Sequence, residues 1–178
     1  MALLRSIALF AALVTLTACA GRPSLDDAPL SDRQLNLEEF FAGDLVAYGQ
    51  FQDVLGNVSR RFTVDIDGTW DGETLTLVED FVYEDGSTER RIWSLRKTGP
   101  DTWEGTAPGV IGTATGREAG DMFNWQYTID LPVPGDETLR VSFDDWMWLL
   151  TEDRLLNRAY MQRLGVPIGE VIITFEKL

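Results

Sequence analysis

Arg61-Phe62-Thr63-Val64-Asp65-Ile66-Asp67 alternates apolar and polar side chains without a break. Phe62, Val64 and Ile66 take one face and Arg61, Thr63, Asp65 and Asp67 the other, which is the period of a strand with one side in a core and one in water. Outward from this stretch, alternating or β-rich runs occupy approximately 44–54, 58–67, 73–83, 88–97, 102–107, 110–116, 122–131, 138–150 and 170–177. Residues 154–164 fit two periods: Leu155, Leu156, Ala159, Tyr160 and Leu164 suit a helix, whereas Thr151-Glu152-Asp153 read as a turn suits a long hairpin, the reading favoured here. Asp67-Gly68, Asp71-Gly72, Asp85-Gly86 and Gly135-Asp136 punctuate these runs and supply the positive φ of tight turns. Sequential strands are therefore expected to pair with their neighbours. A twisted sheet of this many strands removes its exposed edges by closing. The predicted fold is all-β, an antiparallel up-and-down β-barrel whose last strand, with Val171, Ile173 and Phe175 on one face, returns to the first.

Ahead of the barrel, Asn36-Leu37-Glu38-Glu39 has the spacing of a capping box, so a short helix is expected through Phe41 and Gly43 would end it. Further upstream, Arg5 precedes an apolar stretch, Ile7–Leu16, and a small-residue approach, Thr17-Ala18, to Cys19. That is the layout of a signal peptide. The uncharged run Ser6–Ala20 is 15 residues, short of the roughly 20 that a spanning helix needs. Leu16-Thr17-Ala18-Cys19 resembles the lipobox of bacterial lipoproteins, in which the Cys thiol receives a diacylglyceryl group and the leader is cut before it. Cys19 is the single cysteine, with no disulfide partner, and a lipid attachment accounts for it. Ala20 stands where Asp would direct retention in the inner membrane, so the periplasmic face of the outer membrane is expected. The domain reading is a signal peptide at 1–18, a lipidated flexible tether rich in Pro, Ser and Asp at 19–34, and a barrel domain at 35–178.

The chain has 178 residues, 15 Lys plus Arg against 29 Asp plus Glu, a net charge of −14 and no His. The charge works against binding nucleic acid. The absence of His removes the usual neutral-pH base, the commonest zinc ligand and every Ser-His or Cys-His nucleophile. No catalytic, metal or cofactor site is predicted, and the chain is not expected to be an enzyme.

Two constellations carry polar groups into the predicted interior. Glu79 shares a face with Leu75, Leu77, Phe81 and Tyr83, while Arg91, Trp93 and Leu95 share another. A two-residue Asp85-Gly86 turn would put these sets on opposite sides. A three-residue turn through Ser87, with Gly86 left-handed, would align them, with Glu79 opposite Trp93 and diagonal to Arg91. The second register is the one expected, and it predicts a Glu79–Arg91 contact, read either as the polar anchor of a ligand cavity or as a structural ion pair. In Asp144-Asp145-Trp146-Met147-Trp148, one Asp must point inward on either alternation. It requires a partner, for which Arg158 and Asn157 are available, or a raised pKa.

These residues are also those of a resemblance. Phe40-Phe41-Ala42-Gly43, Gly68-Thr-Trp-Asp-Gly72 with Leu75-Thr-Leu77, Phe81-Val-Tyr-Glu-Asp-Gly86, Arg91-Ile-Trp93, Gly112-Thr-Ala-Thr-Gly116, Asp144-Asp-Trp-Met147, Asn157-Arg-Ala-Tyr-Met161 and the Gly169–Phe175 end resemble a family of Gram-negative bacterial lipoproteins, the domain of unknown function 3833. The resemblance runs from about residue 36 to the C-terminus, and implies an envelope location and a lipocalin-like barrel without assigning an activity. Where lipocalins carry Gly-x-Trp near the first strand, this chain has Gly43-Asp44-Leu45, so their transport role does not transfer. The function expected is a non-enzymatic, membrane-anchored binding module for an apolar or amphipathic molecule such as a lipid or fatty acyl product. The alternative is a structural or assembly partner of another envelope protein.

Overall fold

The structure is a computed structural model that describes residues 21–133 and 137–178. The leader 1–18, Cys19, Ala20 and the Gly135-Asp136 turn lie outside the described residues. One short helix, α1 (Leu37–Phe41), precedes ten strands: β1 (Gly43–Asp53), β2 (Val58–Trp70), β3 (Thr74–Tyr83), β4 (Thr88–Lys97), β5 (Thr102–Thr106), β6 (Ala114–Ala119), β7 (Met122–Val133), β8 (Glu137–Thr151), β9 (Arg154–Arg163) and β10 (Val166–Lys177). Each pairs with its sequence neighbour, and β1 pairs with β10 from Leu45↔Lys177 to Asp53↔Gly169, closing the barrel. Closure gives every strand a neighbour on each side, as the up-and-down reading required, although β4 pairs with the short β5 only over Ser94–Lys97.

The alternation in β2 is as read: Phe62, Val64 and Ile66 are buried, while Arg61, Asp65 and Asp67 are exposed. Residues 154–163 form a strand. Leu155, Asn157 and Ala159 face inward, so the positions that suggested a helix divide between the inner face (Leu155, Ala159) and the partly covered outer face (Leu156, Tyr160), with Leu164 beyond the strand. Asp67-Gly68 is not a turn. β2 runs on to Trp70, with Gly68 opposite Leu77, and the chain reverses at Asp71-Gly72, where Gly72 has φ 102°. Gly68 is instead the place where α1 touches the barrel, because a Cβ there would lie 1.6 Å from the Phe41 carbonyl oxygen. Strand 110–116 is displaced to Ala114–Ala119, and residues 107–113 form a loop held by the single bridge Val110↔Ile129.

α1 closes one end of the barrel with Leu37, Phe40 and Phe41, all buried. Its N-terminus is not satisfied by the predicted capping box. The Asn36 side chain donates to the Glu39 carboxylate at 3.2 Å, and the Leu37 N–H donates across the barrel floor to Glu118 Oε1 at 2.7 Å. A buried first-turn amide needs some acceptor, and β6 supplies it. Upstream, the described part of the proposed tether lies on the outer wall of β7–β9. Arg22 pairs with Asp144 at 3.2 Å and stacks 4.2 Å above Tyr160, Ser31 Oγ donates to Asp121 at 2.6 Å, and Leu35 N–H donates to Gly120 O. Met122 and Trp146 point outward on this wall, yet are buried.

Candidate functional site

Inward side chains from every long strand leave a cavity of about 130 Å³ along the barrel axis. Its walls are mostly apolar, aromatic and aliphatic side chains in similar numbers. Trp93 packs edge-on against Trp125 and Tyr127 with centroids 5.8 and 5.1 Å apart, and Tyr127 stacks on Phe143 at 5.0 Å. A volume close to the roughly 150 Å³ that admits benzene in an engineered apolar cavity fits a compact occupant.

Polar groups enter this wall at three places. On β3 and β4, Glu79 stands directly opposite Arg91, and Trp93 opposite Leu77. The predicted face is correct, and the predicted register is one rung off. The three-residue turn is Glu84-Asp85-Gly86, closed by Tyr83 N–H to Ser87 O at 2.9 Å, with Gly86 at φ 81°. Because the turn starts one residue earlier than expected, each cross-strand pair moves by two. The expected Glu79–Arg91 contact is a facing pair on one rung and not an ion pair. The guanidinium donates to Glu89 Oε1 at 2.6 Å, and Tyr83 OH donates to the other Glu89 oxygen at 2.9 Å. Glu89 shares the inward parity of Arg91, and that spacing was the signal available for finding it.

Glu79 is enclosed by the barrel, although part of its surface faces the cavity. Loss of water pushes its carboxyl up to about 7, against the opposing pull of Arg91. Glu89 behaves oppositely: burial works against its charge, but Arg91 and the Tyr83 hydroxyl outweigh it and hold the carboxyl below its ordinary value. Burial raises the Tyr83 hydroxyl to about 12, helped by Glu89.

On β8, Asp145 is the inward member of the acidic pair, 7% exposed beside Phe143 and Met147. Asp144 faces out, accepting from Asn124 and Gln126 besides Arg22. Neither partner suggested for Asp145 reaches it. Arg158 lies on the outer face of β9, bound to Glu170 at 2.5 Å and packed 4.8 Å from the Tyr160 ring, so it is not part of the site. Asn157 faces inward at 1% exposure, with its amide nitrogen 3.5 Å from Trp146 O. Asp145 Oδ1 and Asn157 Oδ1 are both buried without a hydrogen-bond partner. Burial drives the Asp145 carboxyl well above the ordinary range; Asp144 and Glu79 reinforce the shift and Arg91 opposes it. Tyr127, opposite Phe143 on β7, completes the cluster, its hydroxyl raised by burial and by Asp145. Tyr127 escaped the sequence reading, although the alternation Phe123, Trp125, Tyr127 carries it inward.

Among the described residues no group of His, Cys, Asp and Glu has the make-up of a metal site, and no helix is long and apolar enough to cross a membrane.

A family model described as "Protein of unknown function (DUF3833)" matches residues 13–177. No curated protein matches the chain. Among solved structures, the S-type phycobiliprotein lyase of Guillardia theta is similar at 11% identity and a TM-score of 0.59, over 81% of this chain and 93% of that one. A protein of unknown function from the DUF3598 family of Nostoc punctiforme is similar at 11% identity and 0.56, over 86% of this chain and 53% of that one. Rv2717c of M. tuberculosis is similar at 15% identity and 0.52, over 78% and 92%. These likenesses establish the lipocalin-like barrel and nothing finer.

Proposed function

The chain belongs to the DUF3833 family, and from that premise and the barrel's interior we propose that it is a non-enzymatic binding module, held at the bacterial envelope by acyl chains on Cys19, which takes one small apolar-bodied ligand into its cavity. The observation that carries the ligand reading is the cavity of about 130 Å³ with Asp145 and Asn157 in its lining, each holding a buried oxygen without a hydrogen-bond partner. A filled core leaves few such atoms, since each costs about 1–3 kcal/mol without a partner, and a ligand is what would satisfy them. The volume favours a compact molecule over a long acyl chain, because drug-sized sites run to about 300–1,000 Å³. Support for the anchor comes from the leader and its lone thiol, and the address it implies is the periplasmic face of the outer membrane. Two or more acyl chains are needed for stable attachment, one chain alone binding only marginally.

The same small volume also supports a second reading, in which side chains fill most of the lumen and the barrel serves as a scaffold for another envelope protein. A compact apolar probe separates the two. Toluene at ten times its dissociation constant should stabilise the barrel by about 1.4 kcal/mol, a rise of roughly 3–6 °C in melting temperature for a domain this size. Ala159, on the cavity wall and 3% exposed, provides the control. Ala159→Leu should fill the space, leave the melting temperature within a few degrees and abolish the toluene effect. An absent effect in the unmodified protein would favour the scaffold.

A further inference from the structure

The chemistry of the occupant can be read from what the cavity lacks. Asn157 Oδ1 is an acceptor, and Asp145 Oδ1 becomes one when its carboxyl is ionised, so a cation that favours the Asp145 carboxylate and donates to both completes them. They are diagonal neighbours on one inward face, since Ala159 lies opposite Asp145 and Met147 opposite Asn157, close enough for one multidonor group to serve both. The charges agree with the donors. Among the described residues lining the cavity, Arg91 is the one cation, and it is committed to Glu89 at 2.6 Å. Glu79 and Asp145 have no basic group within ion-pair distance among the described residues. The interior therefore holds more carboxyls than cations, and an anionic ligand would meet two acids and a guanidinium already paired.

Resting on the binding-module reading, we infer that the ligand is a compact organic cation, an apolar body carrying a protonated amine whose N–H groups donate to Asp145 Oδ1 and Asn157 Oδ1 with Glu79 facing the same charge. Burial favours the protonated form of both acids in the empty barrel, strongly for Asp145 and by a shift to about 7 for Glu79. An ammonium entering would favour the carboxylate of Asp145 and drive its proton into solvent. The groups that face this carboxyl are Glu79 from β3, Arg91 from β4, Tyr127 from β7 and Asn157 from β9, with Asp144 behind it on β8. Of these only Arg91 is cationic, so none replaces the ligand's charge.

Four probes of nearly one size test this: toluene, benzyl alcohol, benzylamine and benzoate, titrated into the full chain at pH 7 by calorimetry in two buffers of different ionisation enthalpy. The expected order has benzylamine at least tenfold tighter than toluene or benzyl alcohol, proton release accompanying the amine alone, and benzoate weakest. Asp145→Asn should erase the amine's advantage while toluene still binds, and Glu79→Gln should reduce it. If Asp145→Asn does not fold, the order in the unmodified protein and in Glu79→Gln decides. Toluene binding with no preference for the amine overturns this inference and leaves the cavity reading standing. Binding of none of the four overturns both, and tightest binding of benzoate assigns the site to Arg91 and an anion instead.

Discussion

Glu79 and Asp145 set the barrel's response to pH. A carboxyl whose folded pKa is raised holds its proton more tightly in the native state than in the unfolded chain. Its contribution is complete below the ordinary value of 4.5 and is lost as pH rises through about 7. For Glu79 that interval corresponds to about 3 kcal/mol, and Asp145 acts in the same direction. Asp80 and Asp130 act in reverse, held low by the Arg90 and Arg140 side chains, so their contribution is lost as pH falls below the ordinary carboxylate range. Stability should therefore be greatest near pH 5 and decline toward pH 8. Urea unfolding at half-unit steps checks this, and Glu79→Gln should flatten much of the decline; a profile rising from pH 5 to 8 contradicts it. Period-2 alternation placed Glu79, Arg91 and Trp93 inward correctly, because side-chain direction is a local property of a strand. Which partner Arg91 chooses is not local. It depended on a three-residue turn that begins at Glu84 instead of Asp85, and Glu89, two residues away on the same strand, took the guanidinium.

Turns fix the register of each element, and the β9–β10 turn is built against local preference. Leu164 has φ 51° and is 94% exposed, followed by Gly165 at φ 79°. A left-handed Leu costs roughly 1–2 kcal/mol, and a two-residue turn with both φ positive favours Asn-Gly. Leu164→Asn should therefore raise stability by about 1 kcal/mol, or about 2–4 °C in a thermal melt, with the register of Val166↔Arg163 unchanged. A loss of stability would mean that this Leu makes contacts the turn requires. Element boundaries followed the alternating runs closely where Gly and Asp marked true reversals, as at Asp71-Gly72 and Asp85-Gly86. They failed at Asp67-Gly68, where the glycine serves the close approach of α1 to the wall and no turn at all. Residues 154–163 read ambiguously because apolar side chains stand on both faces of β9, Leu155 and Ala159 inward and Leu156 and Tyr160 on the partly covered outer face.

For the molecule as a whole, closure was legible because an odd edge among so many alternating strands would stay exposed, and Val171, Ile173 and Phe175 offered the returning face. The cavity was not legible, since its volume is a remainder after all the aromatic rings have packed. Nor was the seating of residues 22–35 on β7–β9, which rests on single long-range contacts such as Arg22 with Asp144. Composition alone suggested a loose tether there. This barrel is proposed to carry a small molecule while acyl chains keep it at the envelope. Native mass spectrometry of the protein extracted gently from its own host's membranes tests that most directly. The predicted spectrum shows a chain starting at Cys19, its acyl chains, and a further small non-covalent mass that leaves on mild activation. A mass equal to polypeptide and acyl chains alone, with nothing released, would contradict it.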